Sequence, residues 1–182
     1  MSSGRSNKLT AQIGEYLVCA ELGKRNLIAT PFAGNVPTFD VLATDEFCHT
    51  VPIQVKTTRG GKWPTDASHW INLQYIESTQ TQKNLGRKDI ENPKLIYVFV
   101  AIAPDDSKDQ FFVLTKLQLQ EIVYTCYVDD MDRREWKRPR APQSYDCRFS
   151  IPHIKNYKNN WKLISDGLTA SSSDQSLESI DE

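Results

Sequence analysis

Phe39-Asp40-Val41-Leu42-Ala43 and Val51-Pro52-Ile53-Gln54-Val55-Lys56-Thr57 are two short runs separated by the acidic stretch Thr44-Asp45-Glu46-Phe47-Cys48-His49. Each run reads as a strand, and the stretch between them as the link of a hairpin. Strand side chains alternate between faces, so Gln54 and Lys56 share one face while Ile53, Val55 and Thr57 take the other. A polar pair on an otherwise apolar strand is costly to bury without a partner. Asp40, on the neighbouring strand, is the candidate partner. Taken singly, these residues have ordinary readings. Asp40 reads as a strand-end acid, Gln54 as a hydrogen-bonded amide, and Lys56 as an ion-pair partner of Asp40. Converging on adjoining strands, they read as a site.

Working outward, Asn7 to Lys24 has helical periodicity. Asn7 or Thr10 is a candidate N-cap, and Gly23 stands near the end. One stripe is Ile13, Tyr16, Leu17 and Ala20, and a second is Glu15, Val18, Cys19 and Leu22, at the spacing of one helix face. Apolar on both sides, this helix is expected to be largely buried. Glu15 is the acid inside the second stripe. Asn26 to Phe32 reads as a strand and Ala33 to Pro37 as a turn. Arg59 to Pro64 reads as a loop, His69 to Gln74 as a strand, and the polar Glu77 to Glu91 as loop or short exposed helix. Leu95 to Ile102 is a continuous apolar run of β-formers, expected as a central strand. Asp105 to Asp109 reads as a turn and Gln110 to Leu114 as a strand. Thr115 is expected to cap a helix through Tyr124, with Leu117 and Ile122 facing the core. Asp129 to Gln143 is charged and contains Pro, hence a surface loop. Phe149 to Ile164 reads as a packing helical segment. The expected organisation is a disordered 1–6, one domain over 7–165, and an acidic disordered tail over 166–182. The fold class is α/β, with a central mixed sheet flanked by helices.

A chain of 182 residues with 39% hydrophobic and 25% charged residues supports a sizeable core. No stretch is long and apolar enough for a membrane span, and the polar N-terminus lacks a signal core, so a cytoplasmic protein is expected. Cys19, Cys48, Cys126 and Cys147 form no C-x-x-C pair and read as buried, reduced thiols. The net charge is −1, but Asp166 to Glu182 holds five acids and no Lys or Arg. The rest of the chain, with 22 basic residues against 18 acidic, is compatible with nucleic acid as a partner.

Glu15 on a helix, Asp40 on one strand and Gln54-Val55-Lys56 on the next resemble the PD-(D/E)xK nuclease superfamily. Gly14-Glu15, Phe39-Asp40-Val41 and Gln54-Val55-Lys56-Thr57 are similar in particular to its Q-x-K branch, which includes Mrr-like restriction enzymes, Holliday-junction-resolvase-like proteins and uncharacterised bacterial and phage relatives. The motif-bearing match covers roughly residues 9–60. The resemblance implies a restriction-endonuclease-like core. It also implies a Mg²⁺-dependent nuclease, with Mn²⁺ as a substitute, that hydrolyses DNA in restriction, repair, recombination or mobile-element defence. Glu15, Asp40, Gln54 and Lys56 would be catalytic. Glu15, Asp40, the Gln54 side-chain oxygen and a main-chain carbonyl at Val55 would ligate the metal, and Lys56 would orient water or stabilise transition-state charge. Thr38-Phe39 stands where the family often has Pro. Gln54 in place of an acid removes one negative charge, which supports the alternative of a catalytically degenerate module that binds DNA or protein.

Arg59, Lys62 and Trp63 follow the lysine strand and are candidates for nucleic-acid contact, as are Arg133, Arg134, Lys137 and Arg138 in the densest basic stretch. The sequence does not separate DNA from RNA. No sequence-reading domain is visible in it, so a homodimer or a partner subunit is compatible with target choice.

Overall fold

The computed structural model describes residues 3–32, 38–104 and 107–177. In chain order the elements are α1 (Ser3–Gly23), β1 (Ile28–Pro31), β2 (Val41–Thr44), β3 (Thr50–Thr58), β4 (Lys62–Asp66), β5 (Ile71–Ile76), β6 (Thr81–Arg87), β7 (Ile96–Ala101), β8 (Gln110–Thr115), α2 (Lys116–Arg133), β9 (Asp146–Ser150), α3 (Ile151–Ile154) and α4 (Lys162–Leu177). They form two compact units. The first holds residues up to Gly61, Leu95–Thr115 and everything from Lys155; the second holds Lys62–Lys94 and Lys116–Ile154.

The first unit is a mixed sheet in the order β1-β2-β3-β7-β8, with β3 and β7 parallel and the other pairs antiparallel. Val41, Ala43, Val51, Ile53, Val55, Ile96, Val98, Val100 and Val113 pack into one core with Val18 and Leu22 of α1 and Ile164 and Leu168 of α4. This is the α/β architecture expected, a central mixed sheet with helices against it. The β2–β3 turn is closed by Asp45, whose Oδ1 accepts the amides of Phe47 and His49, each at 2.9 Å. The expected turn at Ala33–Pro37 lies outside the described residues, as do Asp105 and Asp106 of the next expected turn.

Helix α1 differs from expectation in two ways. It begins at Ser3, inside the stretch expected to be disordered. Only one side of it is buried: Val18 and Leu22 are fully covered, while Tyr16 and Leu9 are exposed. At the closest approach stands Gly14. A Cβ there would lie 1.7 Å from Thr57 Oγ1, 2.7 Å from Thr57 Cβ and 2.8 Å from Thr57 Cγ2. Helix α4 likewise runs past Asp166 to Leu177, because Ile164 and Leu168, one turn apart, are both buried.

The second unit contains an antiparallel β4–β9 pair, an antiparallel β5–β6 ribbon and α2. Much of it contradicts the reading from sequence. Thr81–Arg87 is a strand, where loop or helix was expected, because it pairs with β5. Lys62 to Pro64 belongs to β4 rather than a loop, because it pairs with Ser150 to Arg148 of β9. Helix α2 continues to Arg133, since Leu119, Val123, Tyr127 and Met131 recur every fourth residue and all are buried. Leu117, expected in the core, is exposed. Phe149 and Ser150 close β9 instead of opening a helix. Gln82 and Gln120, both buried, are satisfied here. Gln82 Nε2 donates to Pro142 O at 2.7 Å and Ser144 O at 3.0 Å, and Tyr127 Oη donates to Gln82 Oε1. Gln120 Nε2 donates to Trp70 O at 2.8 Å and Lys88 O at 2.7 Å.

All four cysteines are free. Cys147 is buried and Cys19 and Cys126 are partly so, but Cys48 is exposed, at a turn position with φ of 66°. Burial pushes the Cys126 thiol up to about 11 and the Cys147 thiol to about 12.

Gly14→Ala tests the helix contact. Alanine favours the helix by roughly 1 kcal/mol, but its methyl would meet the Cβ of a β-branched residue, which no rotamer change can remove. Overpacking should win, with a net loss of about 1–3 kcal/mol. Thermal denaturation followed by circular dichroism is expected to show a melting temperature several degrees lower; an unchanged or higher value would refute the contact.

Candidate active site

The ladder between β2 and β3 pairs Val41 with Ile53. Asp40 stands just before β2, and its amide donates to Ile53 O at 2.9 Å, which brings its side chain beside Gln54. Gln54 Nε2 donates to Asp40 Oδ2. The Val55 amide donates to the same oxygen at 2.8 Å. The β2 backbone runs out at this point, and the Asp40 carboxylate takes over as acceptor for the β3 main chain. Only 9% of Gln54 is exposed, so its amide has few alternatives to that carboxylate. The Oδ1 oxygen is used by neither bond.

Lys56, two residues on from Gln54, is on the same face and exposed. Glu15 follows Gly14 on α1. Burial pushes its carboxyl above the ordinary range, the nearby charge of Asp40 pushes it further, and Lys56 partly opposes both. Asp40 and Lys56 therefore both act electrostatically on Glu15, which groups the four expected positions with the Val55 main chain. The structure adds one that the sequence did not signal as polar. Tyr97 lies opposite Gln54 in the parallel β3–β7 pair. Its phenol is raised by burial and then by the Asp40 charge. It is the one side chain with a polar atom in Leu95–Ile102, and that was the available clue.

The candidate nucleic-acid residues are less uniform. Arg59 is exposed directly after β3, and Lys62 is exposed at the start of β4. Trp63 is buried and stacked on Phe149 with ring centroids 5.8 Å apart, so it cannot offer a face to a base. Arg133 and Arg134 both pair with Asp130, at 3.6 and 2.8 Å. Arg138 also faces Asp130 at 3.7 Å, lies over the Tyr127 ring, and donates to Asp146 O at 2.6 Å, which makes it a framework residue. Lys137 is exposed, and its backbone bridges to Thr81.

Among the described residues, no group of three or more His, Cys, Asp or Glu side chains is arranged to hold a metal ion. The hard donors present are the carboxylates of Asp40 and Glu15, the Gln54 amide oxygen and the Val55 carbonyl. Mg²⁺ keeps several waters and needs only one or two carboxylates, so this set fits it. The mutual repulsion of Glu15 and Asp40 is the kind a cation relieves. Gln54 presents its NH₂ to Asp40, so ligation through its oxygen requires the amide to turn over, about a torsion that is broad and two-fold.

No known family matches the sequence, and no curated protein does. Solved structures resemble the fold. One is the bacterial homing endonuclease I-Ssp6803I, with 13% identity, a TM-score of 0.49, and coverage of 93% of this chain and 98% of that one. Another is Hjc from Archaeoglobus fulgidus, a Holliday junction resolvase from an archaeal hyperthermophile, with 11% identity, a TM-score of 0.39, and coverage of 80% and 88%. Among the described residues, no helix is long and apolar enough to cross a membrane.

The raised Glu15 carboxyl sets a pH dependence. The folded protein holds this proton more tightly than the unfolded chain, so ionised Glu15 opposes folding, and the opposition fades as pH falls through the raised value. Glu15→Gln is expected to be more stable than wild type at about pH 7, with the difference closing toward about pH 4. Urea denaturation at both pH values checks this, and equal stability at the higher one would refute the coupling.

Proposed function

We propose that the chain is a metal-dependent nuclease that hydrolyses phosphodiester bonds of DNA. One observation carries the reading: the Asp40 carboxylate is fixed by Gln54 Nε2 and the Val55 amide, and the charges of Asp40 and Lys56 both bear on the Glu15 carboxyl. A site that only needed a neutral strand end would not gather two carboxylates and an ammonium. Asp40 and Glu15 would hold the metal, Mg²⁺ or Mn²⁺ in its place, with the Val55 carbonyl and a turned Gln54 amide completing the set. When bound, the metal neutralises phosphate charge and lowers the pKa of a coordinated water. Gln54 holds Asp40 in one orientation. Lys56 presents its ammonium from an exposed position on the site face, where it can orient the attacking water and stabilise charge that builds on the phosphate oxygens.

A second reading, a degenerate module that binds without cutting, is favoured by Gln54 standing in place of an acid and turning its NH₂ toward Asp40. Cleavage separates the two. Supercoiled plasmid, linear duplex, single strand and a four-way junction are incubated with the protein in Mg²⁺, Mn²⁺ or EDTA. Metal-dependent cutting is expected, reduced about 100-fold or more in Lys56→Ala and in Asp40→Ala, with circular dichroism unchanged. No cutting on any substrate by folded wild-type protein would overturn the nuclease reading.

A further inference from the structure

We propose that the β5–β6 ribbon of the second unit reads base edges in the major groove of duplex DNA. The inference rests on the reading above of a chain that acts on DNA, and names the part that selects the sequence.

The two faces of the ribbon differ. Its inner face is committed to its own unit. Ile71 and Gln82 are buried, Asn84 Nδ2 donates to Tyr124 Oη at 3.0 Å, and Arg87 forms a two-pronged pair with Glu121 at 2.5 and 2.6 Å, with its guanidinium 3.9 Å above the Tyr124 ring. Gln120 clamps the open end, where the ribbon begins and finishes, through Trp70 O and Lys88 O. The outer face is set by register. Gln74 pairs with Lys83 and Ile76 with Thr81, while Asn72 stands opposite the bulge at Leu85-Gly86. Gly86 has φ of 103°, the conformation that lets two residues oppose one and turns Arg87 back to the inner side.

Asn72, Gln74, Lys83 and Leu85 are all exposed; Asn72 Nδ2 donates to Arg87 O at 3.2 Å, which leaves its Oδ1 and one N–H for a base. This outer set has the chemistry of direct readout. Asn and Gln match the donor–acceptor edge of adenine, Lys matches the two acceptors of guanine, and an aliphatic group meets the thymine methyl. The face carries no carboxylate. From Ile71 to Lys88, with Arg87 paired to Glu121, two basic residues, Lys83 and Lys88, stand against one acid, Glu77 in the turn, a balance complementary to a polyanion. A two-stranded antiparallel ribbon fits the width of the major groove. An inner face locked to α2 means the outer face meets DNA already ordered, which removes part of the entropic cost of binding.

The test uses the full chain in EDTA, where binding is read without cutting. Preferred duplexes are selected from a random library, and affinities for selected and scrambled duplexes are measured for wild type, Gln74→Ala/Lys83→Ala and Asn72→Ala. All three positions are exposed, and melting temperatures confirm folding. Wild type is expected to prefer its selected site at least about 10-fold, given that one good contact discriminates roughly 5- to 150-fold. The double variant should bring the ratio close to one, while its affinity for scrambled duplex falls much less. Replacing the selected purines with their 7-deaza forms, which removes a major-groove acceptor, should also abolish the preference. An unchanged ratio in the variants, indifference to deaza substitution, no preference in wild type, or no duplex binding would each overturn the proposal. Cleavage in Mg²⁺ is scored separately. Cutting without sequence preference would sink the ribbon and leave the nuclease, and preference without cutting would do the reverse.

Discussion

The absence of a single methyl group on Gly14 sets where helix α1 can lie. Its Cα side presses on Thr57, a β-branched residue at the end of β3, at a separation no side chain could occupy. The place of Glu15 beside the candidate active site follows from that seat. The next residue, Glu15, reaches the field of Asp40 and Lys56 only because the helix axis is drawn down onto the strand. The helix then continues along the sheet and buries Val18 and Leu22 one and two turns later. A close contact in the core thus positions a charged group at the edge of it. The Thr57 hydroxyl, buried with no hydrogen-bond partner among the described residues, is a visible cost of this packing.

Among the described residues, the buried polar side chains are Gln54, Gln82 and Gln120, and each uses its NH₂ to join parts of the chain distant in sequence. An amide is suited to this because it offers donors and an acceptor without the desolvation cost of a charge. In the first unit Gln54 fixes an acid. In the second, Gln120 holds the ribbon to α2 through Trp70 O and Lys88 O, and Gln82 ties it to Pro142 O and Ser144 O.

The hairpin of β2 and β3 was legible in sequence because strand alternation and a short link are local facts, and they alone place Asp40 beside Gln54 and Lys56. Glu15 was legible from helical spacing. Tyr97 was hidden inside an apolar run whose other members are all structural. The second unit was largely illegible. Gln, Lys, Asn and Gly in Thr81–Arg87 disfavour a strand, and only pairing with β5 and the burial of Gln82 make it one. Trp63 looked like a loop aromatic because its partner, Phe149, lies far along the chain. The basic stretch around Arg133 resembles a DNA grip in sequence, but α2 carries Asp130 one turn earlier, and its carboxylate pairs with two of the arginines.

The parallel pairing of β3 with β7 joins Ile53–Thr58 to Ile96–Ala101, with the whole of Lys62–Lys94 in between. On the ribosome, β3 therefore emerges with one edge satisfied by β2 and the other open, and waits for more than thirty further residues before its neighbour exists. Its apolar face waits longer, since α4 is among the last described segments to be made. An open, hydrophobic strand edge is a template for intermolecular pairing. The hazard in making this protein accordingly falls in translation, before any catalytic group has a role, and slowing synthesis after Thr58 should lengthen it.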